Sequence, residues 1–338
     1  MALLLCALLL CAGAAQQVRL GLQSLDTPLR LTAPVRFKVV PGSSFARIAA
    51  ELSARGVVQS PRAWVLYARL RRLAPAVKAG EYEIEPGTTP RELLTKMVNG
   101  QVLLHSFTIV DGWRVQDMLN ALRRNPEIVS TLGDGAANLM DKLGVPGVDA
   151  EGQFLPETYR FVGGTSDVEL LRQAHVALEK ELDSAWTGRD PDLPLHDSYQ
   201  LLIMASIVEK ESGLPQELGK IAGLYLHRLA IGMRLQADPT VIYGLGDRYD
   251  GDIRTVDLRT DGPYNTYTRT GLPPTPIALP GAAAIRASAH PDKTDAIYFV
   301  ASAKGDGSHV FSATLQEHNA AVASYLAHLR QKAGGGVR

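Results

Sequence analysis

The sequence predicts an α+β protein in which a small strand–helix module precedes a mainly helical domain that contains a small sheet. A strand–turn–helix pattern occurs twice near the N-terminus, first from Arg36 and again from Glu81. Helix-length apolar patterns then follow one another after residue 196, and short apolar strands appear only near the end of the chain. Such separation of strands and helices along a chain is typical of the α+β class.

These patterns divide the chain into five segments. They are a signal or membrane anchor at 1–18, a linker at 19–34, the strand–helix module at 35–104, a connecting region at 105–195 and the helical domain at 196–332. The last boundary follows Asp190–Pro194, where two prolines in five residues indicate a linker.

The N-terminal segment is apolar but short. Residues 1–18 contain no charged side chain, and the apolar core Ala2–Ala15 would span about 20 Å as a helix, against ~30 Å for a bilayer core. Ala12-Gly13-Ala14 resembles a signal cleavage site. We therefore expect a signal or short anchor that exports the rest of the chain, with a buried helix end as the alternative. Both cysteines, Cys6 and Cys11, lie in this segment, so the folded body has neither a disulfide nor a thiolate metal site.

The module repeats one supersecondary unit. Strand Arg36–Val40 precedes helix Phe45–Gly56, and strand Glu81–Glu85 precedes helix Pro90–Asn99. The predicted N-caps are Ser44 and Thr89, and Glu92 completes a capping box with Thr89. Phe107–Val110 begins a weaker third copy. Units of this size suit a carbohydrate-binding module of the LysM type, and a scaffolding role fits equally well.

The helical domain begins at Asp197, a predicted N-cap, and its first helix ends before Gly213 and Pro215. The later elements are predicted from apolar periodicity and from the Asp-Pro pair, in which Asp238 is the expected N-cap. They are helices Gln216–Ala230, Ala282–Ala289 and Gln316–Arg330, a short helix from Asp238, a buried strand Ile297–Ala301 and its partner Val310–Ser312.

The balanced charge, 35 basic against 35 acidic residues, argues against nucleic acid as the main partner, which needs a basic face. It also argues against a polybasic membrane patch.

Glu209 is the strongest candidate for chemistry. It extends the apolar row Leu202, Ala205 and Ser206 on a helix that is apolar all round and therefore buried. Desolvation raises the pKa of a carboxyl, as a general acid near neutral pH requires. Glu211 is rotated from Glu209 by about 200°, so the two do not form a carboxylate pair. The alternative is that both are solvated charges at a helix end.

Two further segments suit sugar binding. Gln236 and Asp238 can hydrogen-bond sugar hydroxyls or acetamides, although Asp238 also fits a helix cap. The segment Tyr264-Asn265-Thr266-Tyr267, closed by Gly271 and a proline pair, predicts a rigid aromatic loop that stacks on sugar rings; a structural turn is the alternative.

No metal or cofactor is expected. The sequence has no His-x-x-x-His or His-Glu-x-x-His spacing, and His309 and His318 are interpreted as satisfied structural histidines. It also lacks a nucleophile elbow, a phosphate loop and a dinucleotide fingerprint.

From about Val35 onward, the chain resembles the MltG-type (YceG-like) endolytic murein transglycosylases. The matching motifs are Ala205-Ser-Ile-Val-Glu209-Lys-Glu211-Ser, Met233–Gly244, Tyr264-Asn-Thr-Tyr267 with Gly271–Pro274, His309–Ser312 with Glu317-His-Asn319, and Glu151-Gly152 with Leu155–Tyr159. Leu279 departs from the polar residue that many relatives carry before Pro280-Gly281.

The resemblance implies a lyase that cleaves the β-1,4 bond between N-acetylmuramic acid and N-acetylglucosamine of nascent glycan strands and leaves 1,6-anhydro ends. It places the catalytic carboxyl at Glu209. Ser206 lies one turn earlier on the helix, where it can orient that carboxyl, and it is also expected to contact the substrate. The resemblance adds Glu211, Gln236, Asp238 and the Tyr264–Tyr267 loop as substrate contacts. It also implies a LysM-like module, a single-pass anchor in the bacterial inner membrane, a catalytic part in the periplasm, and penicillin-binding proteins of the elongation machinery as partners.

Two other functions fit the same residues. A non-catalytic peptidoglycan-binding scaffold predicts binding that does not depend on Glu209. A histidine-dependent metallo-amidase predicts loss of activity with a chelator, and the histidine spacing disfavours it.

Overall fold

The computed structural model describes residues 13, 16, 17, 19–133 and 138–334. Most of the predicted signal or anchor at 1–18 lies outside the described residues. Among the residues that are described, no helix combines the length and the apolar character needed to cross a membrane.

The chain forms two compact units, and both are discontinuous in sequence. Unit 1 contains the described residues up to Ser106 together with Arg160–Thr165, and unit 2 contains Phe107–Tyr159 and Ser166 onward. Most of the region predicted as a connection, 105–195, therefore belongs to unit 2. The α+β class predicted from the sequence is confirmed, because helices predominate and the described strands form small two-stranded sheets.

Unit 1 is built from the repeated strand–turn–helix pattern. Its elements are β1 (Val35–Val39), α1 (Phe45–Ala54), α2 (Pro61–Leu70), β2 (Gly80–Ile84) and α3 (Pro90–Asn99). Strands β1 and β2 pair antiparallel, with Phe37 opposite Tyr82. Both side chains are buried against the apolar faces of the helices, together with Trp64 of α2, a helix that the sequence patterns did not predict.

The predicted caps of unit 1 are confirmed. The Ser44 side chain accepts a hydrogen bond from the Arg47 N–H at the start of α1. Thr89 and Glu92 form the reciprocal capping box at the start of α3, and Gly100 ends that helix in the left-handed conformation.

Strands β3 (Leu104–Thr108) and β4 (Thr158–Val162) form a second two-stranded sheet, and the boundaries between the units fall inside both strands. In unit 2, the strands β5 (Tyr298–Ala301) and β6 (His309–Ser312) form a third, antiparallel sheet. The expectation that β5 is fully buried is wrong, since all four of its residues are half-buried. Two of its residues, Tyr298 and Phe299, line a cleft described below.

Unit 2 is a helical assembly around one long buried helix. Its helices are α4 (Val115–Arg124), α5 (Leu139–Leu143), α6 (Asp167–Gly188), α7 (Ser198–Glu211), α8 (Leu218–Ala230), α9 (Asp238–Leu245), α10 (Thr255–Arg259), α11 (Ala282–Ala289) and α12 (Leu315–Gly334).

Helix α7 forms the centre of the unit 2 core. It begins at the predicted N-cap, where the Asp197 carboxylate accepts from the Gln200 N–H. Every residue from Leu201 to Val208 is buried, and α7 packs against α6, α8, α9 and α11. Only the C-terminal turn, which carries Glu209 and Glu211, leaves this core.

Candidate active site

The C-terminal turn of α7 sends its two glutamates to different places. Glu209 Oε2 accepts a hydrogen bond from the Gly281 N–H at 3.0 Å. Glu211 Oε1 instead accepts from the Tyr225 hydroxyl of α8 at 2.5 Å. The prediction that the two carboxyls lie on different faces is thus confirmed, and each has its own environment.

Glu211 lies in a polar cleft with a volume of about 470 Å³. The cleft combines carboxylates, aromatic rings and amides from α7, α8, β5 and α12. Its lining residues are Glu211, Tyr225, Arg228, Gln236, Asp238, Tyr267, Tyr298, Phe299, Leu315, His318 and Asn319.

Burial raises the pKa of Glu211 to about 7. The hydrogen bond from Tyr225 opposes this shift because it favours the ionised carboxylate, and the negative charge of Asp238 adds to it. A carboxyl with this pKa is protonated in about half of the molecules near neutral pH, so it can both donate and accept a proton.

Asp238 is held in the same cleft, but not as a helix cap. It is the first residue of α9, and the preceding residue, Ala237, is the N-cap without a side-chain hydrogen bond. The expectation that Asp238 caps this helix is therefore wrong. Its Oδ1 accepts from the Tyr267 hydroxyl at 2.5 Å, so the Tyr264–Tyr267 loop positions the carboxylate at the cleft.

Gln236 has an exposed side chain at the cleft and a strained backbone. Its φ is +52°, in the left-handed region that non-glycine residues seldom adopt. The Gln236 N–H donates to the carbonyl of Thr266 at 3.1 Å, which ties the strained residue to the Tyr264–Tyr267 loop. Strain of this kind is concentrated at functional sites.

The other three residues of that loop are structural. The Asn265 amide donates to the carbonyls of Asp257, Leu258 and Thr260, and its carbonyl accepts from the Tyr267 N–H. Thr266 Oγ1 accepts from the Ala237 N–H and lies 2.9 Å from Thr240 Oγ1.

Tyr264 packs edge-on against the ring of Tyr243, with centroids 4.8 Å apart, and its hydroxyl lies 2.9 Å from Thr275 Oγ1. Of the predicted aromatic loop, only Tyr267 is among the residues that line the Glu211 cleft.

Glu209 is half-buried beside Asp111 rather than at this cleft. Burial raises its pKa, the Gly281 N–H opposes that shift, and the nearby Asp111 adds to it. Burial also raises the pKa of Asp111. A Cβ atom on Gly281 would lie 2.3 Å from Asp111 Oδ1 and 3.4 Å from Glu209 Oε2, so a larger residue here would displace the Asp111 carboxylate.

Ser206 does not reach either carboxyl. It is fully buried, its hydroxyl donates to the Ile203 carbonyl at 2.7 Å, and its Oγ accepts from the Ile277 N–H at 3.0 Å. Ser206 therefore braces α7 against the segment before α11. The group that orients Glu209 is the backbone of Gly281.

The histidines divide into two cases. His309 is satisfied as predicted, because its Nδ1 lies 2.7 Å from Glu217 Oε2. His318 is not: its Nδ1 is buried without a hydrogen-bond partner among the described residues, and the residue lines the cleft. The interpretation of His318 as a satisfied structural histidine is wrong.

The sequence did not predict Arg228, Tyr225 or Tyr298 as site residues, and Asn319 appeared only within a family motif, yet all four line the cleft. They come from α8, β5 and α12, so no local spacing relates them to Glu211. Within the Glu317-His-Asn319 motif, Glu317 Oε2 caps α12 by accepting from the Ala313 and Thr314 N–H groups, and the two residues that follow it line the cleft.

An enclosed carboxyl of raised pKa, set among tyrosines, amides and a second carboxylate, defines a general acid–base site of the kind used to cleave glycosidic bonds. Comparison with known proteins agrees with this class. The chain belongs to the YceG-like family, whose model matches residues 37–324, and the resemblance seen in the sequence is confirmed.

Individual relatives carry a more specific name. The chain is 30% identical over 318 residues to the endolytic murein transglycosylase of Bacillus subtilis, covering 88% of this chain and 86% of that protein. It is 25% identical to the endolytic murein transglycosylase of Streptococcus pneumoniae D39 over 84% of this chain, and it spans 57% of that longer protein. The crystal structure of a yceG-like protein from Listeria monocytogenes is 26% identical with a TM-score of 0.49, covering 85% of this chain and 98% of the other.

Proposed function

We propose that this chain, a lytic murein transglycosylase by family, cleaves the β-1,4 bond between N-acetylmuramic acid and N-acetylglucosamine within nascent glycan strands and leaves 1,6-anhydro ends, which limits strand length. We further propose that Glu211 is its general acid and base. The observation that carries this assignment is the enclosed Glu211 carboxyl, with a pKa of about 7, in the polar cleft.

The proposed reaction needs one carboxyl and no water. Protonated Glu211 donates its proton to the glycosidic oxygen, the bond from that oxygen to C1 of the muramyl sugar breaks, and the sugar's own acetamide stabilises the positive charge at C1. Ionised Glu211 then accepts the proton of the C6 hydroxyl as the C6 oxygen bonds to C1. Since the same residue first gives and then takes the proton, its pKa must lie near the working pH.

The neighbours of Glu211 suit these two steps. Tyr225 occupies one carboxyl oxygen, Oε1, and so leaves the other for the substrate. Asp238, held by Tyr267, places a second negative charge near the site, which favours the protonated acid before cleavage and the positive C1 during it.

Glu209 is the rival for the role, as the family motif led us to expect. Its pKa is also raised. Its carboxyl, however, is bonded to the Gly281 N–H, and Glu209 is not among the described residues that line the cleft. We therefore favour Glu211 for proton transfer and expect Glu209 to hold the Gly281 segment through this hydrogen bond.

The two glutamates form a matched pair of variants for the test. We expect Glu211→Gln to lower the release of anhydro-muropeptides from purified sacculi by ~10²–10⁴-fold, the range for loss of general acid–base catalysis, and Glu209→Gln to retain most activity. Mass spectrometry of the products measures both the yield and the anhydro ends. The reverse ranking, with both variants folded by circular dichroism, would return the role to Glu209.

A product with ordinary reducing ends would instead show that water attacks C1, and would contradict the proposed ring closure. Glycan binding without any cleavage product would support the scaffold function.

The location and partners follow from the family resemblance alone. We propose that residues 1–18 export or anchor the chain at the inner membrane, that the two units work in the periplasm, and that penicillin-binding proteins are partners. Cell fractionation with protease accessibility, compared with a chain that lacks residues 1–18, tests the location. Crosslinking in cells tests the partners.

A further inference from the structure

One wall of the Glu211 cleft carries polar groups that the proposed acid–base chemistry does not use. Arg228 of α8 is only 6% exposed, yet it lines the cleft. Its Nε donates to the Ile297 carbonyl and its Nη1 to the Leu235 carbonyl. A guanidinium has five N–H donors, so Arg228 is fixed in place by two of them and has others to offer to a ligand.

His318 and Asn319 of α12 stand beside this arginine. The His318 ring stacks on Tyr298, with centroids 5.2 Å apart, and the Arg228 guanidinium lies 5.7 Å from the centre of the same tyrosine ring. As described above, His318 Nδ1 is shielded from solvent and finds no partner in the described part of the chain. A ligand in the cleft can reach this atom only if the His318 ring turns, whereas the amide of the exposed Asn319 is open to a ligand without such a change.

The same wall is also apolar. Phe299 and Leu315 line the cleft, and Leu315 is 56% exposed although it is a leucine. A ligand group that fits this wall therefore combines a hydrogen-bond acceptor, a hydrogen-bond donor and a small apolar part. An acetamide has all three, in its carbonyl, its N–H and its methyl group.

We propose that the wall formed by Arg228, Tyr298, Leu315, His318 and Asn319 binds the N-acetyl group of a substrate sugar and so makes N-acetylation a requirement for tight binding. Arg228 donates to the acetamide carbonyl, His318 or Asn319 accepts from its N–H, and Leu315 contacts its methyl group. This inference rests on the proposed function, because it names the substrate group that the Glu211 cleft selects.

The charges in the cleft make a comparison of acetylated and de-N-acetylated sugars informative. Removal of the acetyl group leaves an ammonium on the sugar, and the cleft contains the carboxyls of Glu211 and Asp238. Simple electrostatic attraction would then favour the de-N-acetylated sugar. Arg228 on the wall opposes this attraction because it repels the ammonium, so the preference is assigned to the proposed hydrogen bonds only if the wall variants below reduce it.

The test measures binding, so it does not depend on cleavage. The full chain carrying Glu211→Gln is titrated with peptide-free glycan strands that are either intact or de-N-acetylated, and the dissociation constants are compared. We expect about 10-fold tighter binding of the intact strands, equivalent to one or two hydrogen bonds, and recovery of that affinity when the stripped strands are chemically re-acetylated.

Two variants locate the preference. His318→Phe keeps the stack on Tyr298 but removes Nδ1, and Asn319→Leu removes the amide at similar volume; each should reduce the preference several-fold. His328→Phe is the matched control, because it lies on the same helix but is not among the residues that line the cleft, and it should leave the preference unchanged.

Three results would overturn the inference. They are equal affinity for intact and stripped strands, variants that weaken both strands equally, and competition by free stem peptide, which would indicate a carboxylate site instead. Failure of the proposed function looks different: the wild-type chain would keep its preference in binding while releasing no cleavage products.

Discussion

Three neighbours of Glu211 act on its proton affinity in opposite directions. Asp238 raises the pKa of the Glu211 carboxyl, while the Tyr225 hydroxyl and the Arg228 charge lower it, and burial outweighs them all. Single substitutions of these neighbours should therefore raise or lower the pKa of Glu211 without changing Glu211 itself.

We expect Asp238→Asn and Tyr225→Phe to shift the pH–activity profile in opposite senses. Without the Asp238 charge, the pKa of Glu211 falls, so the alkaline limb, which reports loss of the protonated acid, moves to lower pH. Without the Tyr225 hydroxyl, the ionised form loses a hydrogen bond, and the same limb moves to higher pH.

Rates of anhydro-product release between pH 5 and pH 9 measure both shifts. A common shift in one direction, or two profiles that coincide with the wild type, would mean that Glu211 is not the titrating acid. Glu209→Gln provides the comparison, since it should leave the limb where it is.

From the sequence we predicted Glu209 as the acid at the end of α7, whereas the contacts in the cleft lead us to propose Glu211. A helix that is buried on all sides shows no preferred face in its periodicity, so the pattern gives equal weight to both carboxyls. The two carboxyls differ in their long-range contacts. Tyr225, which bonds Glu211, lies on α8, and Gln236 and Tyr267 of the same cleft lie in loops later in the chain. Such contacts depend on tertiary packing that spacing does not encode.

Helix α8 is fixed by a close backbone approach. A Cβ on Gly223 would lie 2.2 Å from the carbonyl oxygen of Asp292, whose N–H donates to the Gly219 carbonyl at 3.0 Å. The apolar face of this helix was predicted from periodicity. The face that carries Gly219 and Gly223 was not, because the hydropathy of a glycine does not show whether another segment packs against it.

We expect Gly223→Ala to destabilise the protein by about 1–3 kcal/mol, the usual cost of overpacking, although alanine is the better helix former. Gly219→Ala is the matched control on the same helix. Its Cβ would meet only the Asp292 side-chain carboxylate at 2.7 Å, which can rotate away. Urea unfolding followed by circular dichroism gives both values, and equal stability of the two variants would contradict the close-approach argument.

Local patterns predicted several element bounds well. Helix Ala282–Ala289 was predicted with its observed limits, as was Pro90–Asn99 with its capping box. A tertiary contact explains one miss: the Asp238 carboxylate is bound by a tyrosine 29 residues away instead of by its own helix.

The division of the whole chain into units was the part least accessible from sequence. Unit 1 includes Arg160–Thr165, a segment far from the rest of that unit along the chain. A discontinuous unit of this kind depends on long-range strand pairing, and pairing partners are not encoded by the alternation within one strand. The α+β class and the order of the elements, by contrast, need only local patterns.

The buried carboxyls should make the folded state less stable as pH rises toward neutrality. Burial raises the pKa of Glu151 to about 7, despite hydrogen bonds from the Val115 N–H and the Tyr243 hydroxyl, and Glu211 has a similar value. A carboxyl whose folded pKa is raised becomes destabilising as pH rises from its unfolded pKa to its folded pKa. Asp167 has the opposite effect on stability. Its pKa is lowered because hydrogen bonds from Thr131, Leu132 and Val168 outweigh its burial, so the stability that this carboxylate contributes is lost only in strong acid.

The free energy of unfolding should therefore fall as pH rises from 5 to 8, and Glu151→Gln should remove part of that fall. The shift of the Glu151 pKa from 4.5 to about 7 corresponds to at most about 3 kcal/mol. In the variant, the Gln carbonyl can still accept from the Val115 N–H, and the Tyr243 hydroxyl can rotate to accept from the amide. Urea titrations at pH 5 and pH 8 measure the difference, with Asp183→Asn, an exposed carboxyl on α6, as the control. If the wild type and Glu151→Gln lose the same stability over this range, the Glu151 carboxyl does not hold its proton in the folded state. The buried Glu151 would then carry a negative charge at pH 5 as well as at pH 8, and its surroundings, including Tyr243, would have to compensate that charge.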